Sequence, residues 1–270
     1  MHKFLVRAAS GIVYAAVIIL AIVYGGWAAW LLAALFATIG VIELDRMQIG
    51  ISDRTLPIFA IDIFGVLSIL AIPVNRYAIA LWFVLMVIRF VIARRLERNS
   101  EDSIRVPGYS QVYLGIPFAF MIADTSYVEL NPMLPLLVFV MLWLNDSGAY
   151  IVGSLIGKHK MSPRISPKKT WEGFGGGVVI TLIGALIIYK YCAGFFLMDH
   201  YSLGIWLLLA LSTCIFGTLG DLLESKIKRK YGYKDSGNWI PGHGGLLDRI
   251  DSFLLAYPVA FLLLLSTLNS

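Results

Sequence analysis

The sequence predicts an all-α fold, a polytopic integral membrane protein of about nine transmembrane helices. Of its 270 residues, 59% are hydrophobic and 14% charged, against roughly 25% charged in a soluble domain. Apolar runs close to the roughly 20 residues that a helix needs to cross a hydrocarbon core recur from one end of the chain to the other. Lys and Arg gather on alternate connections between those runs, the asymmetry that orients membrane proteins.

The spans fall at about 5–25, 27–44, 56–74, 77–94, 108–123, 132–156, 173–197, 203–222 and 250–268. Lys3 and Arg7 precede the first, which could pass for a signal peptide, but no clean small-residue cleavage site ends it and it reads as a retained helix. Gly25 and Gly26 leave almost no loop before the second span, so the two should form a tight hairpin. The fifth span is short, and Pro117 should bend it by removing a backbone donor and crowding the preceding turn.

With this count the termini lie on opposite sides. The N-terminus and the connections 45–55, 95–107, 157–172 and 223–249, with the helix ends that border them, hold all of the 22 Lys and Arg residues except Arg76, Arg89 and Lys190. The positive-inside rule makes that side cytoplasmic and puts the C-terminus outside. Residues 1–130 would supply N-terminal transmembrane helices, and 131–270 a C-terminal region whose cytoplasmic loops, 157–172 and 223–249, carry the chemistry.

A net charge of +5 could suggest nucleic acid, but the cations sit in short loops between spans rather than on a soluble basic domain, so no nucleic-acid partner is expected. Cys192 and Cys214 lie in apolar stretches without metal-ligand spacing and read as packing residues.

Charge inside hydrocarbon needs a partner, a cation or a water-filled cavity. Asp146 stands near the cytoplasmic end of the sixth span, Asp221 ends the eighth, and Asp248 and Asp251 begin the ninth, all at one depth. Three residues apart on a helix, Asp248 and Asp251 share a face and could hold one hard cation; the alternative is that Asp248 caps the helix while Arg249 and nearby lysines neutralise the rest. Asp62 lies in mid-span, either in a buried hydrogen bond to another helix or on an ion pathway.

The 157–172 loop holds more cations than orientation requires. Two Ser-Pro turns, at Ser162-Pro163 and Ser166-Pro167, should place Lys168 and Lys169 beside the seventh helix, whose N-terminus favours an anion. Gly173, Gly175, Gly176 and Gly177 follow, admitting either a neighbouring helix or a ligand. In the 223–249 loop, Asp221 and Ser225 would share one helical face, and Lys226 with Arg229 or Lys230 a cationic edge. Gly242, Gly244 and Gly245 bare the backbone around His243, which reads as a ligand contact just ahead of Asp248.

These residues resemble the phosphatidate cytidylyltransferase (CDP-diacylglycerol synthase) family. Its C-terminal signature is matched by Ser225-Lys226-Ile227-Lys228-Arg229, Lys234-Asp235-Ser236-Gly237, Pro241-Gly242-His243-Gly244-Gly245 and Asp248-Arg249-Ile250-Asp251. Asn145-Asp146-Ser147-Gly148-Ala149-Tyr150 and Ser166-Pro167-Lys168-Lys169-Thr170-Trp171-Glu172-Gly173 also look like the family's pattern, in order. The motifs cover roughly 140–255; residues 1–130 match only as apolar spans. Which of Lys226 and Lys228 contacts substrate is left open.

The resemblance implies that CTP and phosphatidic acid react to give CDP-diacylglycerol and pyrophosphate with Mg2+, leaving room for a second cation. It implies Asp221, Asp248 and Asp251 as metal ligands, with Asp146 a fourth, and Lys168, Lys169, Lys226, Arg229 and Arg249 as phosphate contacts. Ser225, Lys234, Asp235, His243, Gly244 and Gly245 would bind substrate. It also implies an active site facing the cytoplasm at the inner membrane, membrane lipids as partners, and a homodimer. Rival readings are an ion-coupled transporter using Asp62 and Asp146, which calls for internal repeats that the sequence lacks, and a CTP-using lipid kinase.

Overall fold

The computed structural model describes residues 2–99, 109–127, 130–242 and 244–268. Among the described residues the regular elements are helices and one two-stranded hairpin. The helices are α1 (His2–Tyr24), α2 (Gly26–Ile49), α3 (Leu56–Ala71), α4 (Ala78–Asn99), α5 (Ser110–Ser126), α6 (Leu134–Ile156), α7 (Trp171–Cys192), α8 (Leu203–Lys230) and α9 (Leu247–Leu268). Among the described residues, α2, α6, α7, α8 and α9 are long and apolar enough to cross a membrane. Their outer faces carry large apolar side chains with nothing packed over them, such as Leu155 and Ile183. Water would not tolerate so many of these and lipid does, which makes the chain a polytopic membrane protein.

Contacts divide the chain into two compact units, Met1–Val128 with Tyr231–Arg249 and Glu129–Lys230 with Ile250–Ser270. In the first, α1 and α2 are joined through Gly25 and Gly26, both at positive φ, a conformation cheap only for glycine. Tyr14 stacks on Phe36, which meets Phe118 edge-on. Pro117 sits inside α5, which continues through it.

This unit buries a polar network that apolar periodicity does not foretell. Asp62 on α3 accepts hydrogen bonds from Arg89 Nε on α4 and Gln111 Nε2 on α5, each at 2.5 Å. Gln111 Oε1 accepts from Trp82 Nε1 at 2.9 Å. Of the two readings of Asp62, a buried hydrogen bond between helices is the one found, strengthened to an ion pair.

In the second unit, Phe139 of α6 stacks on Phe253 of α9 at 4.3 Å, and Phe253 on Tyr257. The 157–172 connection, expected as a loop with two turns, is an antiparallel hairpin of β1 (Lys160–Ser162) and β2 (Ser166–Thr170), with Ser162 opposite Ser166 and Lys160 opposite Thr170. The turn lies at 163–165, so Ser162-Pro163 does turn the chain. Ser166-Pro167 instead lies in β2. A two-stranded ribbon leaves one edge of each strand unpaired, where proline's missing N–H costs nothing.

Candidate active site

In the second unit the candidate residues rest on close helix approach. A Cβ on Gly173 would lie 2.9 Å from the Ala149 carbonyl oxygen and 3.2 Å from the Gly153 Cα, and one on Gly177 2.6 Å from Asn145 Oδ1. Gly176 is likewise covered by Val152, while Gly175 faces open space. Gly173, Gly176 and Gly177 therefore let the α7 backbone rest on α6.

Thr170 caps α7, its hydroxyl accepting the Gly173 N–H at 3.1 Å. Glu172 accepts the N–H groups of Lys158 and His159 and meets His159 Nδ1 at 2.5 Å. The hairpin is thus fastened at both ends to the start of α7, and β2 delivers Lys168 and Lys169 to a fixed place.

Lys169 Nζ lies 2.6 Å from Asp221 Oδ2, and Asp221 Oδ1 accepts the Ser225 hydroxyl at 3.2 Å, one turn further along α8. Next to Asp221, a Cβ on Gly220 would lie 2.5 Å from the Asp251 carbonyl oxygen and 3.2 Å from Ser252 Cα, so α8 and α9 touch backbone to backbone there. The buried Asp251 accepts the Ser252 N–H at 2.6 Å and feels the charges of Asp221, Glu224 and Asp146. These carboxylates supply only oxygen donors, which suits a hard dication. Among the described residues no three metal-ligating side chains are gathered into a ready cluster, and Lys169 holds one oxygen of Asp221. The donor chemistry suits Mg2+, while the geometry gathers no ready site among the described residues.

A cavity of about 440 Å³ is lined by the polar side chains of Asp146, Lys160, Lys168, Lys169 and Asp221 together with Tyr150 and Phe174. That is within the roughly 300–1,000 Å³ usual for small-molecule sites. Beside it, Lys228 is buried in an ion pair with Glu224 at 2.5 Å, whereas Lys226 is exposed. Of the two lysines the motif left open, Lys228 is thus held by a carboxylate and Lys226 is the exposed one. Arg229 Nε donates to the Ile165 carbonyl at 3.3 Å, tying the end of α8 to the hairpin turn.

The first unit holds the rest of the predicted set. Asp248 Oδ2 accepts the N–H groups of Ser236 and Gly245, both at 3.0 Å, so the carboxylate folds its own loop whatever else it does. Ile240 and Gly244 form a bridge, with Gly242 and Gly244 at positive φ. Lys234, Asp235 and Arg249 are exposed. His243 lies outside the described residues.

A sequence profile of the cytidylyltransferase family matches residues 5–267. The chain belongs to that family. Proteins named phosphatidate cytidylyltransferase are similar to it. The one from Staphylococcus haemolyticus is 46% identical over 162 residues, covering 58% of this chain and 57% of the relative. The one from Bacillus subtilis is 40% identical over 193 residues, covering 71% and 69%. The alignment with the staphylococcal relative spans little more than half of that protein. The resemblance read from the motifs holds.

Three groups in this chain escaped the sequence reading. Glu43 on α2 accepts hydrogen bonds from the C-terminal loop. Glu224 neutralises Lys228 inside α8, a pair visible in principle from its i,i+4 spacing. Glu172 clamps the hairpin, foreshadowed only as the acidic residue of a helix first turn.

Proposed function

We propose that this cytidylyltransferase transfers CMP from CTP to phosphatidic acid, yielding CDP-diacylglycerol and pyrophosphate. The observation that carries the reading is the Lys169–Asp221 pair facing a cavity that also receives Lys168, Lys160 and Asp146. Cations and carboxylates around one small-molecule-sized space are what joining two polyanions requires.

An oxygen of the lipid phosphate attacks the α-phosphorus of CTP. A new P–O bond forms, the bond from that phosphorus to the β-bridging oxygen breaks, and pyrophosphate leaves with the electron pair. The nucleophile is already ionised, so no protein base is needed. Lys168 and Lys169 neutralise phosphate oxygens as negative charge moves toward the leaving group. On ligand entry Lys169 exchanges its Asp221 partner for phosphate and frees that carboxylate. Lys226, Arg229 and Arg249 supply further phosphate contacts, while Ser225, Lys234, Asp235, His243, Gly244 and Gly245 bind the nucleotide. Asp221 and Asp251, with Asp146 and Asp248, would hold Mg2+, which when bound supplies charge neutralisation at the α-phosphate and pyrophosphate. The cavity's lining mixes Tyr150 and Phe174 with the lysines, which suits a substrate that carries both apolar and charged parts.

We take all nine helices as transmembrane, the N-terminus and the loops 157–172 and 223–249 as cytoplasmic, and the C-terminus as outside; the distribution of Lys and Arg supports this. CTP then arrives from the cytoplasm and phosphatidic acid from the inner leaflet. A second copy of the chain and surrounding lipids complete the proposed partners. Transfer is tested with CTP labelled at either the α- or the γ-phosphate: α-label entering the lipid supports it, and γ-label entering instead would make the protein a lipid kinase.

A further inference from the structure

The loop from Ser236 to Leu247 is held by a carboxylate nearly two hundred residues upstream. Glu43 is almost fully buried, at 1% exposure. Its Oε2 accepts the Ser236 hydroxyl at 2.8 Å and the Leu247 N–H at 2.7 Å, and its Oε1 accepts the Leu246 N–H at 3.0 Å. Leu246 and Leu247 stand at the start of α9, where N–H groups have no partner within the helix. Glu43 thus caps α9 from another helix. Ser236 is gripped from both ends, since its own N–H goes to Asp248 Oδ2. Gly237 and Gly245 leave room for the grip, because a Cβ on either would run into the Glu43 carboxylate. The α1 helix adds two outer contacts, Ser10 Oγ to the Pro241 carbonyl at 2.9 Å and Tyr14 Oη to the Arg249 carbonyl at 3.0 Å.

We propose that Glu43 is a positioning residue for nucleotide binding: it fixes the backbone of the 236–247 loop, and through it the groups that meet CTP, without touching substrate. The inference rests on the cytidylyl-transfer reading above. It gives the N-terminal helices a part in the chemistry beyond membrane anchorage. The chemistry of the grip demands a carboxylate. Three donors converge on two oxygens, two of them backbone N–H groups that cannot turn away. In Glu43→Gln either orientation of the amide sets an NH2 against one of those N–H donors, at Leu246 or at Leu247. A buried donor facing a donor forfeits its hydrogen bond and carries its full desolvation cost.

The test has two independent readouts on detergent-solubilised full-length protein. Amide hydrogen exchange should show Glu43→Gln losing protection across 236–247 while α6 and α7 stay as in the wild type. Steady-state assays should show the KM for CTP rising at least about tenfold, as expected from losing a charge-assisted hydrogen bond, with the KM for phosphatidic acid unchanged. Glu43→Asp, which keeps the carboxylate on a shorter stem, should recover part of both. Gly237→Ala attacks the grip from the loop side, should reproduce the pattern, and decides the matter if Glu43→Gln does not fold. Unchanged exchange across the loop would overturn the proposal. So would lost protection with both KM values intact, since Glu43 would then serve stability alone. If the wild-type protein places no cytidine on lipid, the proposed function fails instead, and the exchange experiment still judges whether Glu43 holds the loop.

Discussion

Replacing Arg89 by Met should destabilise the first unit more than loss of any surface charge. Arg89 and Asp62 have side-chain exposures of 4% and 0% and meet at 2.5 Å. Asp62 would keep its hydrogen bonds with Gln111 and with the neighbouring buried Asp45, but would lose its counter-ion. Leaving one partner of a buried pair uncompensated costs about 3–5 kcal/mol. At roughly 2–4 °C per kcal/mol, the thermal midpoint should fall by roughly 6–20 °C. Tryptophan fluorescence during heating in detergent reads this directly, because Trp82 belongs to the network through Gln111. Adding Asp62→Asn to Arg89→Met removes the stranded charge and keeps an acceptor for Gln111, so the double variant should regain at least half of the lost midpoint. The single Asp62→Asn variant should still transfer cytidylyl groups at near the wild-type rate per folded molecule, since Asp62 is structural here. A midpoint for Arg89→Met within about 1 °C of wild type, or a double variant no better than the single, would refute the reasoning. Loss of all transfer in well-folded Asp62→Asn would return Asp62 to the ion-pathway reading.

Other outcomes follow from the second unit and from the topology. Lys169→Met should cost less than about 1 kcal/mol of stability, because its pair with Asp221 is part-exposed at 25% and 31%, while turnover falls by roughly 100-fold or more; parallel thermal and activity measurements check both. Gly177→Ala should destabilise by about 1–3 kcal/mol, since its Cβ would press on Asn145 Oδ1 and on the carbonyl oxygen of the same residue; thermal unfolding reads it. With Cys192 and Cys214 replaced, a cysteine at Ser162 should react with an impermeant thiol reagent from the cytoplasmic side, and one at Asp199 from the outside.

The helices were legible because long apolar runs are written in composition, although among the described residues only five of them are long and apolar enough to cross a membrane; the α1–α2 hairpin was legible because two glycines leave almost no loop. Asp221 and the carboxylates at the start of α9 stood out because charge at that depth needs a reason, though α8 runs on past Asp221 to Lys230 where the sequence suggested the span's end. The 157–172 hairpin was missed because two Ser-Pro pairs signal turns equally well, and only pairing partners reveal that Pro167 lies in a strand. The division into two units could not be read as a cut near residue 130, since the segment Tyr231–Arg249 clusters with the N-terminal helices through contacts such as Glu43 to Leu246 and Leu247. Glu43 itself was hidden by its place beside Asp45 and Arg46, at the end of a long apolar run where charges usually meet water. Lys228 looked like one more cation of a basic loop, and only its burial against Glu224 separates it from Lys226.

The central claim is cytidylyl transfer to a lipid phosphate, and one measurement tests it most directly. Purified, folded protein is incubated with phosphatidic acid, Mg2+ and CTP labelled in the cytidine, and lipid-bound label and released pyrophosphate are counted together. The account predicts label in the extracted lipid in one-to-one ratio with pyrophosphate. Lipid free of cytidine label, from protein shown to be folded, would contradict it.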